Sequence, residues 1–305
     1  LFIDGAAGTT GLEIRERIAD RKDISLVTIA DAHRKDPAAR ADALNGADAV
    51  ILCLPDDAAR EAVSLITNAT TKVVDASTAF RTHPDWAYGF AELESAGRER
   101  LRMATRISNP GCYPTGFLAL VRPLVRAGIL PADVAVSVNA ASGYSGGGKA
   151  MIAAFEDSQA PDATDTAYRI YALGLGHKHV PEMQTHAGLV HAPIFMPAVA
   201  RTYRGMLVEV PLHLHLLKGS VADIRTAIAD AYAGSPVVQV ETADPKLLTL
   251  EHCAGTDRLE LFVFADEAAG QVRLVAALDN LGKGAGGAAV QNLNIAMGLE
   301  ESVGL

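Results

Sequence analysis

Phe2-Ile3-Asp4-Gly5-Ala6-Ala7-Gly8-Thr9-Thr10-Gly11 decides the fold. The short apolar run reads as a strand and the three glycines as a tight turn. Residues 10–21 then carry Leu12, Ile14 and Ile18 at helical spacing. In that order the three pieces make a phosphate cradle. Glycines let the backbone approach a pyrophosphate, and a helix start offers N–H groups and a positive dipole end. The spacing G-x-x-G-x-x-G departs from the commoner G-x-G-x-x-G, and glycines alone also fit a plain strand-to-helix turn. The residues that follow favour a dinucleotide. Strands at 26–30, 49–54 and 72–76 alternate with helices at 37–44 and 56–68, the latter opened by Asp56 and Asp57 as the helix dipole prefers. Continuous apolar strands of this kind belong to a parallel sheet covered on both faces.

Beyond Cys112 the pattern changes. Residues 113–127 read as a helix closed by Gly128 and distorted by Pro123. Strands are expected at 134–140, 207–217, 259–264 and 272–278. The alternation Leu212-His213-Leu214-His215-Leu216 implies an antiparallel or mixed sheet with one wetter face. On that face His213 and His215 read as surface or interface side chains. A last helix at 285–299 follows a glycine-rich turn. The fold class is therefore α/β: a Rossmann-type doubly wound parallel sheet over residues 1–110, plus an α+β catalytic and dimerisation domain with a mixed sheet over 111–281. Residues 282–305 are expected to return to the first domain.

The 305 residues are 49% hydrophobic, 21% charged and 5% aromatic, enough for two packed domains. A net charge of -9 argues against nucleic acid or an acidic membrane as partner. No apolar run approaches the ~20 residues of a membrane span. Leu1-Phe2-Ile3 runs straight into a strand, so no secretory signal is expected, and a few residues are expected to precede Leu1. Three scattered cysteines suit a reducing cytoplasm. Cys53, in an apolar run, and Cys253, in no motif, read as small buried hydrophobes.

Cys112 stands apart. Ser108-Asn109-Pro110-Gly111-Cys112-Tyr113-Pro114-Thr115 puts a thiol in a turn at the mouth of a helix. A helix N-terminus favours the thiolate and offers N–H groups to a developing oxyanion. A thiolate nucleophile needs a proton carrier. Gly176-His177-Lys178-His179-Val180-Pro181-Glu182 supplies two histidines before a helix start, and either His179 or His177 fits that role. No third ligand is evident beside this H-x-H pair, so no metal is expected there. Ser145, Gly146 and Lys149, in Ser142-Gly143-Tyr144-Ser145-Gly146-Gly147-Gly148-Lys149, combine hydroxyl, backbone N–H and cation into an anion cradle. Arg81 fits a substrate carboxylate. The turn Asn280-Leu281-Gly282-Lys283-Gly284 could bring the chain back to the nicotinamide. Asp31 ends the second expected strand, where an acid takes the ribose 2′-hydroxyl of NAD. His33, Arg34 and Lys35 follow at once and suit the 2′-phosphate of NADP, which is the favoured cofactor.

These segments, with Tyr88-Gly89-Phe90-Ala91-Glu92-Leu93, together resemble the short-form N-acetyl-gamma-glutamyl-phosphate reductases of the semialdehyde dehydrogenase superfamily. The heptapeptide Asn109 to Thr115 carries most of that likeness. The resemblance implies NADPH-dependent reduction of an acyl phosphate to N-acetylglutamate semialdehyde in arginine biosynthesis, through a thioester on Cys112. It implies Gly5, Gly8, Thr9, Thr10, Gly11, Arg34, Lys35, Ser77, Asn109, Pro110, Asn280, Lys283 and Gly284 at the cofactor. Arg81, Ser145, Gly146, Lys149 and Glu182 fall to the substrate. A homodimer or homotetramer, with a small acyl phosphate or semialdehyde as substrate, is expected. A related dehydrogenase of aspartate or aminoadipate derivatives, a cysteine hydrolase or acyltransferase, and a non-catalytic NADP-binding module are the alternatives.

Overall fold

The computed structural model describes residues 1–33 and 36–305, which fall into two compact units. The first comprises Leu1–Ala91, Ala96–Pro110 and Ala285–Leu305. Its elements run β1 (Phe2–Asp4), α1 (Thr9–Ile18), α2 (Pro37–Gly46), β2 (Ala49–Leu52), α3 (Asp56–Leu65), β3 (Lys72–Asp75), β4 (Ala87–Tyr88), α4 (Gly97–Met103) and β5 (Arg106–Ser108), then a C-terminal helix, Gly287–Met297. The strands form one parallel sheet in the order β1-β2-β3-β5-β4. Alternate residues serve opposite faces, as pleating demands. Ile3, Ile51, Val74 and Ile107 pack with Ile14, Leu101 and Leu293 under α1, α4 and the C-terminal helix. Phe2, Val50, Leu52 and Val73 pack with Leu44 and Ala62 under α2 and α3.

Two expectations change here. Residues 26–30 do not form a strand: a single bridge joins Phe2 to Val27, and Leu26 and Val27 are exposed. At the outer edge beyond β1 only Ile29 packs against the core, so no alternating buried face sets a register. The helix expected to reach residue 68 stops at Leu65. Asn45 Oδ1 accepts from the N–H groups of Thr67 (2.7 Å) and Asn68 (2.8 Å) and draws the chain away.

The second unit comprises Glu92–Ser95 and Gly111–Gly284. It contains α5 (Cys112–Arg126), β6 (Ser137–Gly143), α6 (Gly148–Glu156), β7 (Tyr168–Ile170), α7 (Val180–Ala187), β8 (Ile194–Ala200), β9 (Met206–His213), α8 (Val221–Tyr232), β10 (Val238–Val240), β11 (Leu259–Asp266) and β12 (Gln271–Leu278). Seven strands form a mixed sheet in the order β10-β11-β12-β9-β6-β8-β7. Along β9, Met206, Val208, Val210 and Leu212 point into the core beneath α5, while Pro211 and His213 face water. The strand expected over 207–217 ends at His213. A 3₁₀ turn, Leu214–Leu216, follows, and it carries His215 with its ring 5.4 Å from that of His213. On the open face Tyr168, Ile170, Ile194 and Met196 are exposed.

Pro123 lies inside α5 without breaking it. A proline cannot donate to the carbonyl four residues back, which here is Ala119 O. Tyr232 Oη supplies that bond instead, at 2.9 Å, from a ring buried at the end of α8. Tyr232→Phe is therefore expected to cost about 1–3 kcal/mol, the penalty of a buried carbonyl left without a donor. Denaturant unfolding checks this. The loss should shrink in a Pro123→Ala background, where residue 123 regains its own N–H. An equal loss in both backgrounds would refute the account.

Candidate active site

The glycine turn sits where the sequence places it. Gly5 has φ +85°, and a Cβ there would lie 2.2 Å from Cys53 O. At Gly11 a Cβ would meet Gly5 O at 2.6 Å, so α1 can press against the turn only without one. Gly8 N–H donates to Gly5 O at 2.9 Å, and α1 begins at Thr9. Ser77, Asn109 and Pro110 follow β3 and β5. They share the carboxyl edge of the sheet with the turn, the edge at which open α/β sheets bind ligands.

That edge is tied together from within. Ser77 Oγ donates to Asp75 Oδ2 at 2.6 Å, and burial pushes the Asp75 carboxyl up to about 6. Arg81 is buried. Its Nε donates to Asn109 O (2.9 Å) and an Nη to Ala76 O (3.1 Å), so it braces the two loops. Asn292 Nδ2 donates to both Gly89 O and Asn109 Oδ1, each at 2.8 Å. Burial and the carboxylates of Asp75 and Asp4 push the Cys53 thiol up to about 12, so it stays protonated. Arg34 and Lys35, expected at the cofactor, lie outside the described residues.

The thiol site belongs to the second unit. Cys112 is the first residue of α5, behind Gly111 in extended conformation, and it is partly exposed. Thr115 donates to Gly111 O through both N–H and Oγ1, at 2.9 Å each. Gly111 N–H donates to Glu182 Oε1 at 2.8 Å. Glu182, expected at the substrate, is thus a buried clasp between the starts of α7 and α5.

His179 caps α7 and is buried, its ring 5.9 Å from that of Tyr113. His177 lies in an aromatic box of Tyr113 (6.3 Å), Tyr171 (5.8 Å) and Phe195 (5.0 Å), with the His179 ring at 4.7 Å. Its Nδ1 accepts from His179 N–H at 3.1 Å, which puts its own proton on Nε2. Burial, and then the Lys178 charge, push His177 down to about 4. At neutral pH His177 is a neutral ring whose Nδ1 is engaged by the His179 backbone. Tyr171 and Phe195 escaped sequence reading because no motif marks an aromatic wall built from separate strands and loops.

The turn before the C-terminal helix closes on the thiol. Gly282–Gly286 form a π turn. A Cβ on Gly284 would come 2.9 Å from both Cys112 Cβ and Asp279 O, so only glycine lets the turn pass this close. Lys283 Nζ, expected at the cofactor, binds Glu92 Oε1 and Oε2 at 3.1 and 2.9 Å in a buried ion pair. Asn280 Nδ2 donates to Ser145 Oγ (2.8 Å), and its Oδ1 accepts from Gly205 N–H (2.9 Å). Gly146 and Lys149 are exposed beside the buried Ser145, with Lys149 in the first turn of α6. The cradle residues thus stand together, while Asn280 and Lys283 brace the protein.

Two family models match. The semialdehyde dehydrogenase NAD-binding domain covers residues 2–102, and the semialdehyde dehydrogenase dimerisation domain covers 112–280. The chain belongs to the semialdehyde dehydrogenase family. Within that family it is 53% identical to proteins named N-acetyl-gamma-glutamyl-phosphate reductase from Brucella ovis (strain ATCC 25840 / 63/290 / NCTC 10512) and Brucella suis biovar 1 (strain 1330), over 98% of both chains in each case. Solved semialdehyde dehydrogenases share the fold. Aspartate semialdehyde dehydrogenase II from Vibrio cholerae matches with a TM-score of 0.73 at 16% identity, over 97% of both chains. The Francisella tularensis aspartate semialdehyde dehydrogenase gives 0.71 at 14%, over 97% of this chain and 99% of that one. Among the described residues, no helix is long and apolar enough to cross a membrane.

Proposed function

We propose that the protein reduces N-acetyl-gamma-glutamyl phosphate with NADPH, giving N-acetylglutamate semialdehyde and phosphate, as a step of arginine biosynthesis in the cytoplasm. The observation that carries this reading is Cys112 at the first position of α5, with the His177–His179 pair packed on the next residue, Tyr113. The identity to relatives of that name supports the substrate.

The residues fit a nicotinamide dinucleotide: the close approaches at Gly5 and Gly11 leave bare backbone at the start of α1. Gly5, Gly8, Thr9, Thr10 and Gly11 would hold the pyrophosphate there. The basic run His33-Arg34-Lys35 favours the 2′-phosphate of NADP. When bound, NADPH supplies the hydride that takes the acyl carbon down to the aldehyde level.

The chain's own groups do the rest. Cys112 thiolate attacks the acyl carbon, the carbon–oxygen bond to phosphate breaks, and a thioester remains. The N–H groups of Cys112 and Tyr113, at the positive end of the helix dipole, stabilise the oxyanion. Ser145, Gly146 and Lys149 hold the departing phosphate. Reduction leaves the hemithioacetal as an oxyanion, to which His179 gives a proton; when the carbon–sulfur bond breaks the proton returns to His179, and thiolate and aldehyde separate.

The test runs the reaction backwards. N-acetylglutamate semialdehyde, phosphate and NADP are expected to give reduced cofactor at a rate that depends on phosphate, with NAD and with aspartate semialdehyde far poorer. Phosphate-independent turnover, or a preference for aspartate semialdehyde, would overturn the reading. A second copy of the chain is the proposed partner for the open face bearing Tyr168, Ile170, Ile194 and Met196, since the matching family model is a dimerisation domain. Sedimentation at micromolar concentration should give a dimer or tetramer, and a monomer would refute it.

A further inference from the structure

Away from the thiol site, the second unit holds another cluster of ligand-type side chains. A ring nitrogen of His252, Sγ of Cys253 and a carboxylate oxygen of Glu260 all lie within 4.8 Å of one another. His252 and Cys253 sit on a turn after residue 248, and Glu260 comes from β11. The surroundings are apolar: Cys253 packs with Phe262, Val275 and Ala277, and the His252 ring lies edge-on to Phe262 at 5.7 Å. Cys253 and Glu260 are buried, while His252 reaches solvent and offers an entry path. Glu260 is oriented from both sides. One oxygen meets His252 Nε2 at 2.6 Å, and the other pairs with Arg258 at 3.1 Å.

We infer that His252, Cys253 and Glu260 form a binding site for a single zinc-class divalent cation, distinct from the thiol site of Cys112. Nitrogen, sulfur and carboxylate oxygen are the ligand set that borderline metals take. Tetrahedral bonds of ~2.0–2.3 Å place ligand atoms roughly 3.5 Å apart. The widest pair, within 4.8 Å, therefore closes by up to about 1.3 Å while the His252–Glu260 pair, at 2.6 Å, opens by about 0.9 Å, both within reach of side-chain rotation. On binding, the Cys253 S–H bond breaks, its proton leaves to solvent, and a sulfur–metal bond forms. The proton held between His252 Nε2 and Glu260 moves to His252 Nδ1 or leaves to solvent, and that contact is replaced by two bonds to the ion. Arg258 keeps its hold on the second Glu260 oxygen, steadying the ligand as outer partners of metal sites do. The cation offsets the thiolate and carboxylate charges, which this apolar pocket would otherwise oppose.

The site also has a route to the active thiol. Gly255, on the same turn, donates its N–H to Asp279 Oδ2, and Gly282 lies so close that a Cβ would be 2.2 Å from Thr256 O. Residues 279–284 are the segment that closes on Cys112.

Cobalt titration of the full-length protein tests the inference. Cys112→Ser serves as background, to remove the partly exposed thiol of the active site. One equivalent of Co²⁺ should bind with a thiolate-to-cobalt charge-transfer band, and Zn²⁺ should displace it. Adding Cys253→Ser should abolish the band. Should that variant fail to fold, His252→Asn alters only a solvent-reaching ligand and should weaken binding by at least ~10-fold. A band lost with Cys112→Ser but kept with Cys253→Ser would overturn the inference. So would the absence of any bound equivalent in the Cys112→Ser background, or binding unchanged in His252→Asn.

Discussion

Cys112→Ser is expected to lower turnover by at least ~10³-fold while leaving cofactor affinity unchanged. A serine hydroxyl is nearly the same size, yet it stays un-ionised at neutral pH, so the helix start has no anion to favour. Losing a covalent nucleophile removes the whole route rather than trimming one step, which is why such losses reach many orders of magnitude. The cofactor residues proposed in the glycine turn belong to the other unit, so fluorescence titration with NADPH should match the parent protein. A variant retaining turnover within tenfold of the parent would end the thioester mechanism.

The next largest effect separates the two histidines. His179→Asn should cut turnover by ~10²–10⁴-fold, the usual worth of a positioned acid–base group. It should also remove the acidic limb of the pH–rate profile. His177→Asn should lose less and keep that limb. The sign follows from the ring's pKa, which burial holds near 4, so above that pH His177 carries no proton to give. The same shift affects stability. An unfolded His177 protonates near the ordinary histidine value of 6.5 and the folded one near 4, so the unfolded state binds the extra proton between those values. Stability due to this group is present above 6.5 and falls as pH drops towards 4. His177→Asn should flatten that decline. If the limb survives His179→Asn and disappears with His177→Asn, the assignment is reversed.

Much of this was legible before any coordinates. The glycine turn, the thiol turn and the H-x-H segment are local patterns, and each sits on the element that its spacing demands. The parallel sheet followed from continuous apolar runs, and period two along β9 announced a sheet with two unlike faces. What escaped reading depends on partners distant in sequence. Leu26 to Ala30 has strand composition, but only Ile29 packs against the core and only Val27 pairs. The order of the seven-stranded sheet places β12 beside β9 and β6 beside β8, pairings that no local signal encodes. Tyr232 supplies the donor that Pro123 lacks from 113 residues away. The roles of Glu182 and Lys283 were read from likeness to a family. Their carboxylate and ammonium turn out to engage Gly111 and Glu92, which composition and spacing could not foretell.

The fate of the three sulfurs has a practical side. Burial pushes the Cys53 thiol up to about 12 and Cys253 is fully buried, whereas Cys112 stands partly open at a helix mouth. At neutral pH a bulky alkylating reagent should therefore mark one position per chain. Intact-mass counting of that single adduct becomes a titrant for competent enzyme, able to tell a preparation that is half inactive from one that is merely slow.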